Sequence, residues 1–338
     1  MSRVIAVIAL LSLLLTGCVS REDSSGTQKA PETVPLSELS DVTLQVGDQK
    51  GGTESLLRAA GALDGLPYKI AFSTFTSGPP QVEAATAGKI DFAITGNTPP
   101  IFGAASGAKV KVVSAYDGGG VGDQIIVRAD SPITAIDQLR GKSIAVGKGS
   151  SAHGHILAQL KKAGLTPEDV RLVFLQPADA LGAFTSGQAD AWAIWDPYTA
   201  QTAAQLPVRS IGQARDVTNG YWFGVASDQA LADPKRNTAL ADLLVRFEKA
   251  ARWAKDNPQQ WAQSYADAVG LDLKVAEVSQ GRSVRLPTAL DDEVVASEQK
   301  IADLFAESGQ TASPAPEFEK WVDRRYNEIL RPLLLSDN

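Results

Sequence analysis

One pattern constrains this chain more than any other: an alternation of strand-like and helix-like runs that plays through once and then starts again. Strand-like segments at 42–46, 68–72, 90–95 and 110–115 alternate with helical ones at 54–63, 82–87 and 101–106. After a further strand at 124–128, strands at 143–146, 170–175 and 191–194 alternate with helices at 155–163 and 180–185. Strands separated by helices and joined by short turns build an α/β fold with a mostly parallel sheet. The restart carries an echo. Thr86-Ala87-Gly88-Lys89-Ile90-Asp91 leads into one buried strand, and Thr185-Ser186-Gly187-Gln188-Ala189-Asp190 leads into another. Two similarly built lobes are therefore expected: 41–126 with 225–338 as lobe 1, and 127–224 as lobe 2, hinged near Val127 and Phe223.

Past a strand at 221–227 the sequence turns helical. Leu240, Leu243, Leu244, Phe247 and Ala251 form a helical stripe within 234–255. Helices are also expected around 259–268, 275–280, 291–308 and 317–330, wrapping lobe 1 and the hinge. Their Trp253, Trp261 and Trp321 read as packing residues.

The first residues read as an address. Arg3 precedes an apolar run over 4–15, shorter than the ~20 residues a spanning helix needs, so 1–17 is expected to be a secretory signal. It ends in Leu15-Thr16-Gly17-Cys18, which resembles the lipobox of bacterial lipoproteins. Cys18 is the only cysteine in the chain, so an intramolecular disulfide and a cysteine zinc site are both excluded. Lipidation at Cys18 would add two acyl chains, enough for stable anchoring. Residues 18–40, rich in Ser, Glu, Thr and Pro, are expected to be the flexible lipid-anchored linker. The protein would then be exported and held at the outer face of the cytoplasmic membrane.

The formal net charge of −7 argues against nucleic acid, which needs a basic face. It also means that any anion site must be built locally. The means recur four times as a strand, then hydroxyl, Asn, Asp or Gly residues, then a helix start. These turns are Ser77-Gly78-Pro79-Pro80, Asn97-Thr98-Pro99-Pro100, Gly149-Ser150-Ser151-Ala152 and Trp195-Asp196-Pro197-Tyr198. Ser77 or Gly78, Thr98 and Asp196 are the expected caps, and proline suits a first helical turn. Helix N-termini offer free N–H groups and about half a positive charge, so they bind anions without lysine. Such strand ends are also where doubly wound sheets bind ligands. Simple capping of ordinary helices explains any one of these turns equally well. Trp195 has two readings, core or an apolar cleft wall, while Trp192 reads as core. His153 and His155 are two residues apart and do not share a helix face, so no metal pair is expected; no cofactor is called for.

Together Thr74-Phe75-Thr76-Ser77-Gly78-Pro79-Pro80, Thr98-Pro99-Pro100, Lys148-Gly149-Ser150-Ser151-Ala152-His153 and Trp192-Ala193-Ile194-Trp195-Asp196-Pro197-Tyr198 resemble the aliphatic sulfonate-binding proteins. These are the substrate-binding components of ABC importers, related to taurine- and nitrate-binding proteins. The resemblance implies a type II periplasmic-binding-protein fold, with two α/β lobes, a hinge and an interlobe ligand cleft. It places Gln49, Ser77, Gly78, Thr98, Ser150, Ser151, His153, Trp195 and Asp196 along that cleft, with Asp123 a further candidate. Asn97 stands where relatives often carry an acid. The implied partners are a small anion, an alkanesulfonate first, and an ABC permease with its ATPase, served by a monomer. Taurine, nitrate, a sulfate ester or an aromatic sulfonate are alternative cargoes. An enzyme of the thiamin-pyrimidine type is the rival class, but no G-x-S-x-G elbow and no Walker A loop is present.

Overall fold

The computed structural model describes residues 32–334. The signal segment, Cys18 and the linker as far as residue 31 lie outside the described residues. In chain order the elements of the first half are β1 (Thr43–Gln49), α1 (Gly52–Ala59), β2 (Lys69–Phe75), α2 (Gly78–Thr86), β3 (Phe92–Gly96), α3 (Thr98–Ala105), β4 (Val110–Asp117) and β5 (Gln124–Arg128). Then come β6 (Ser143–Val146), α4 (Ser151–Lys162), β7 (Arg171–Phe174), α5 (Pro177–Thr185), β8 (Ala191–Ile194), α6 (Tyr198–Gln205), β9 (Val208–Gln213) and β10 (Tyr221–Ser227). The helical tail is α7 (Asp228–Ala232), α8 (Pro234–Asp256), α9 (Pro258–Val269), α10 (Leu273–Arg282), strand β11 (Leu286–Thr288), α11 (Asp292–Glu307) and α12 (Asn327–Leu330).

The strands form two sheets, ordered β11-β4-β10-β3-β1-β2 and β7-β6-β8-β5-β9. Apart from the edge strand β11, they share one plan. In the first, β1 is parallel to β2 and β3, and β10 runs antiparallel between β3 and β4. In the second, β6 is parallel to β7 and β8, and β5 runs antiparallel between β8 and β9. In each sheet the antiparallel strand is the one that has just crossed from the other lobe. The echo noticed in sequence is structural. The N–H of Gln45 donates to Asp91 Oδ2 at 2.8 Å, and the N–H of Ser143 donates to Asp190 Oδ2 at 2.8 Å. Each aspartate thus ties the start of its sheet's central parallel strands together.

The crossings differ slightly from expectation. β5 belongs wholly to the second sheet and β10 wholly to the first, so the chain crosses at 118–123 and 214–220 rather than within strands at Val127 and Phe223. The two crossings lie against each other: Gly118 N–H donates to Gly220 O at 3.1 Å, and Arg215 N–H to Gly120 O at 3.1 Å. Gly120 and Gly220 both have positive φ, and a Cβ on either would meet backbone at 2.8 Å. The glycine-rich run is what allows two hinge segments to touch.

Packing begins earlier than Asp41. Leu39 is fully buried, and Val34 N–H donates to Thr238 Oγ1. The α8 stripe buries Leu240, Leu243, Leu244 and Phe247 in the lobe 1 core, and Trp261 joins them. Lobe 2 has its own core around Ile144, Phe184 and Trp192. A further cluster joins α2, α3 and α11 and takes in Leu157 from α4 of lobe 2. Residues 317–330 are not one helix. A 3-10 turn at Phe318–Trp321 ends where Val322 bridges Val112 and Asp323 N–H donates to Val112 O. Tertiary pairing there overrides local helical preference. Strand β11 holds Pro287 at the sheet edge, the one place where a missing donor costs little.

Candidate functional site

Because β1, β3 and β4 are parallel in lobe 1, and β6 and β8 in lobe 2, the turns after them gather at one edge of each sheet. Those two edges face each other. A Cβ added to Gly96, at the end of β3, would lie 3.0 Å from the Cβ of Ser151, at the start of α4. One added to Gly154 would lie 2.7 Å from Thr98 Oγ1. Ser77 and Thr76 hydroxyls donate to Gln176 Oε1 across the same junction, at 3.3 and 3.2 Å. Between the edges and the crossings lies a narrow cavity of only about 20 Å3, lined among others by Asn97, Asp123, Ser151, Trp222 and Arg282.

Three helix N-termini border this junction. Ser77 caps α2, as expected, Ser150 is the cap residue of α4, and Asn97 rather than Thr98 is the cap residue of α3. None of the three side chains accepts a bond from its own first turn. Pro79, Pro80, Pro99 and Pro100 carry no N–H, so α2 and α3 each offer one leading N–H, that of Gly78 and of Thr98, while α4 offers those of Ser151 and Ala152. The Ser150 hydroxyl instead donates to Gly147 O at 2.7 Å, closing the β6–α4 turn. Thr98 Oγ1 donates to Asn97 Oδ1, Asn97 Nδ2 to Asn219 Oδ1, and Asn219 Nδ2 to Glu298 Oε2. That chain links the start of α3 to the second crossing and to a fully buried glutamate, whose carboxyl burial pushes well above the ordinary range.

The fourth turn works differently. Asp196 Oδ1 accepts from Ala200 N–H at 3.1 Å and from the Thr199 hydroxyl, so the carboxylate itself occupies the start of α6. It also binds Arg282 from the end of α10, Nε to Oδ2 and Nη2 to Oδ1, both at 2.9 Å. Burial raises the Asp196 pKa, and Arg282 and Thr199 oppose the rise. Pro197 rather than Asp196 is the cap residue of α6, and the Asp196 carboxylate ties that turn to Arg282. Asp123 lines the same cavity. Burial pushes its carboxyl up to about 7, with a hydrogen bond from Ser151 opposing and Asp196 adding to the rise.

The remaining expected residues lie close by in other roles. Gln49 sits half-buried at the end of β1, with Oε1 accepting a long 3.4 Å bond from Gln81. Gly78 packs against Pro99, to which a Cβ would come within 2.5 Å. Trp195 is only 3% exposed and belongs to the lobe 2 core, edge-on to Tyr198 at 6.0 Å. Its indole reaches only as far as the Gly147 turn, 3.8 Å from a Cβ placed there, so of its two readings the core one describes it. His153 is fully buried among Phe102, Phe174 and Phe305, at 6.0, 5.1 and 5.0 Å between rings. Its Nδ1 accepts from Gly149 N–H at 3.3 Å, and burial, then Lys148, pushes its pKa down to about 3. It is a neutral packing residue at the lobe junction.

Sequence reasoning missed Arg282 and Gln176. Arg282 and Arg285 flank Ser283-Val284 between a helix and a three-residue strand, and nothing local marks either as part of the site. Arg285 stacks on Trp222, 4.4 Å from guanidinium carbon to ring centre.

A sequence profile of the family described as "ABC transporter, phosphonate, periplasmic substrate-binding protein" matches residues 64–268. The chain is 34% identical to a putative aliphatic sulfonates-binding protein of Escherichia coli over 277 residues, 80% of this chain and 86% of that protein. Its structure resembles the periplasmic aliphatic sulphonate binding protein SsuA from Escherichia coli, with a TM-score of 0.75, 30% identity and coverage of 86% of this chain and 93% of that one. It also resembles the alkanesulfonate-binding protein SsuA from Xanthomonas axonopodis pv. citri bound to MOPS, with a TM-score of 0.76, 27% identity and coverage of 87% and 100%. The fold is thus the two-lobed periplasmic-binding-protein fold, and the chain belongs to the aliphatic sulfonate-binding family of ABC-transporter periplasmic substrate-binding proteins.

Proposed function

We propose that this protein captures a small aliphatic sulfonate between its lobes and delivers it, as a monomer, to a membrane permease with its ATPase. The observation that carries this reading is the meeting of three helix N-termini, those of α2, α3 and α4, at one junction, led by the N–H groups of Gly78, Thr98, Ser151 and Ala152. A sulfonate is a permanent anion with three acceptor oxygens, and it suits a site made of N–H and hydroxyl donors without a free lysine. Such a site also works in a protein of net charge −7, because the positive potential is local to the helix ends. The N–H groups of Gly78, Thr98 and Ser151 supply the donors, Ser77 and Ser150 shape the turns that present them, Gln49 borders the lobe 1 side, and closure about 118–123 and 214–220 buries the head group. The names of the relatives support the same cargo. The chemistry is capture and release rather than catalysis, with Cys18 lipidated and holding the body near the membrane through the linker.

Calorimetric titration of the protein with Cys18→Ser against ethanesulfonate, nitrate and sulfate tests this. Saturable 1:1 binding of ethanesulfonate, weakened about tenfold by Ser151→Ala, is expected; a tenfold loss corresponds to about 1.4 kcal/mol. Binding of nitrate or sulfate but no sulfonate would overturn the cargo assignment. Loss of radiolabelled lipid incorporation in Cys18→Ser cells checks the anchor.

A further inference from the structure

One guanidinium in lobe 1 lacks an acceptor. Among the described residues Arg285 forms no ion pair, and its Nε is shut away from solvent with no hydrogen-bond partner. Burial works against its charge and pushes its pKa down. The Trp222 ring covers its flat face, 4.4 Å from guanidinium carbon to ring centre. Stacking uses that face and leaves the N–H groups, which lie in the guanidinium plane, unspent. Asp48 feels the charge, but its Oδ1 is committed to Thr53 N–H at 2.8 Å, at the start of α1. A buried charged donor without an acceptor is costly, so the site calls for an acceptor from outside the chain.

Arg285 lines a cavity of about 490 Å3 built by lobe 1 alone, between α1, the α8–α9 corner and the end of α10. Its volume is ordinary for a small-molecule site. The inner wall is apolar: Leu56, Ala251 and Trp261 are 4%, 3% and 8% exposed. Lys255 and Glu277, both exposed, also line it and offset each other, which leaves Arg285 as the uncompensated charge. Ser283 alone is shared with the narrow cavity at the crossings, and none of the residues assigned above to the sulfonate lines this one.

We propose that this cavity is a second binding site, for an organic carboxylate with a hydrocarbon body, whose head pairs with Arg285 while its chain lies along Leu56, Ala251 and Trp261. A carboxylate is planar and matches the guanidinium fork with two parallel hydrogen bonds, in the plane that Trp222 leaves open. Water could answer the guanidinium, but it gains nothing along the apolar wall, where a hydrocarbon chain does. The segment from Arg282 to Arg285 joins this site to the lobe junction, because Arg282 holds Asp196 of lobe 2. The site stands whatever the interlobe cleft carries.

The test is calorimetric titration of decanoate, kept below micelle formation, into the protein with Cys18→Ser, alone and with saturating ethanesulfonate. Saturable 1:1 binding is expected in both, and decanol, which has the chain without the carboxylate, should bind at least about tenfold more weakly. Arg285→Gln is expected to weaken decanoate about tenfold or more, and Arg285→Lys, which keeps the charge but loses the fork, severalfold. Ala254→Phe fills the cavity from α8; it should abolish decanoate binding and leave ethanesulfonate affinity unchanged. Thermal melting confirms that each variant folds. Loss of decanoate binding when ethanesulfonate is saturating would place the carboxylate in the cleft and overturn the inference. So would a decanoate affinity untouched by both Arg285→Gln and Ala254→Phe, or the absence of saturable binding.

Discussion

Arg282 grips Asp196 through two hydrogen bonds of 2.9 Å each, joining the tail helix α10 to the β8–α6 turn of lobe 2 across 86 residues of chain. The Asp196 side chain is fully enclosed, while the Arg282 side chain is 27% exposed. The pair therefore spans the junction that must open and close. Removing the guanidinium would strand a buried carboxylate, which typically costs more than the pair itself contributes. Arg282→Ala is expected to destabilise the protein by about 2–4 kcal/mol, measured by urea denaturation. Asp196→Asn keeps an acceptor for Ala200 and should cost less. The two effects should fail to add by about 1–3 kcal/mol, as expected for direct partners. Additive effects would show that the contact contributes nothing.

Lobe closure has a steric signature at Gly96. A side chain there would press on Ser151, since even a bare Cβ approaches its Cβ to 3.0 Å. Gly96 has no positive φ, so a larger residue does not strain its own backbone, and the effect falls on the lobe junction. Gly96→Val is expected to hold the lobes apart, raising the radius of gyration in small-angle scattering and abolishing ligand-induced compaction. Its melting temperature should change little. Normal compaction on ligand binding in this variant would show that β3 and α4 do not meet in the closed form.

Much of this architecture is legible in the sequence because it is local and repeated. The strand–helix alternation and the paired aspartates, Asp91 and Asp190, need only a short window, and both aspartates perform the same task in their sheets. The cap residue of α2 is similarly visible, since a helix start is announced by its own few residues. What escapes is set by contacts distant in sequence. Arg282 carries no local mark, because its meaning lies in an aspartate 86 positions earlier. The crossings were placed a few residues into strands, because β5 and β10 read as strands whichever sheet they join. Trp195 could not be resolved between core and cleft, since a buried strand end beside a cap suits either. Residues 317–330 have helical composition, yet the pairing of Val322 with Val112 draws them out of it.

The acid side of the stability profile belongs partly to two histidines. His153 and His155 are fully buried in α4, and burial lowers both pKa values to about 3. In the unfolded chain they titrate near 6.5. Between those values the unfolded state binds protons that the folded state does not. Their contribution is therefore fully present above pH 6.5 and is lost as pH falls, by about 1.4 kcal/mol per pH unit for each histidine. His153→Phe keeps the aromatic cluster with Phe102, Phe174 and Phe305 and removes one of the two. Its stability, measured by urea denaturation from pH 7 to pH 4.5, should fall less steeply than the parent's by that amount. Equal slopes would mean that His153 is protonated in the folded protein.

Asp123 acts in the opposite direction. Its folded pKa, pushed up to about 7 by burial and by Asp196, lies above the value near 3.9 of an unfolded aspartate. Between those values the folded state holds a proton that the unfolded state has released, so stability declines as pH rises through this window and levels off above 7. The raised pKa is a penalty on the ionised form, present in full at pH 8 and absent below pH 4. Asp123→Asn removes it. The variant is expected to be more stable than the parent by about 1–3 kcal/mol at pH 8, the range allowing for solvent screening. The difference should shrink steadily on acidification and vanish near pH 4. A variant no more stable than the parent at pH 8, by thermal melts across this series, would show that the carboxylate is already compensated in the folded protein.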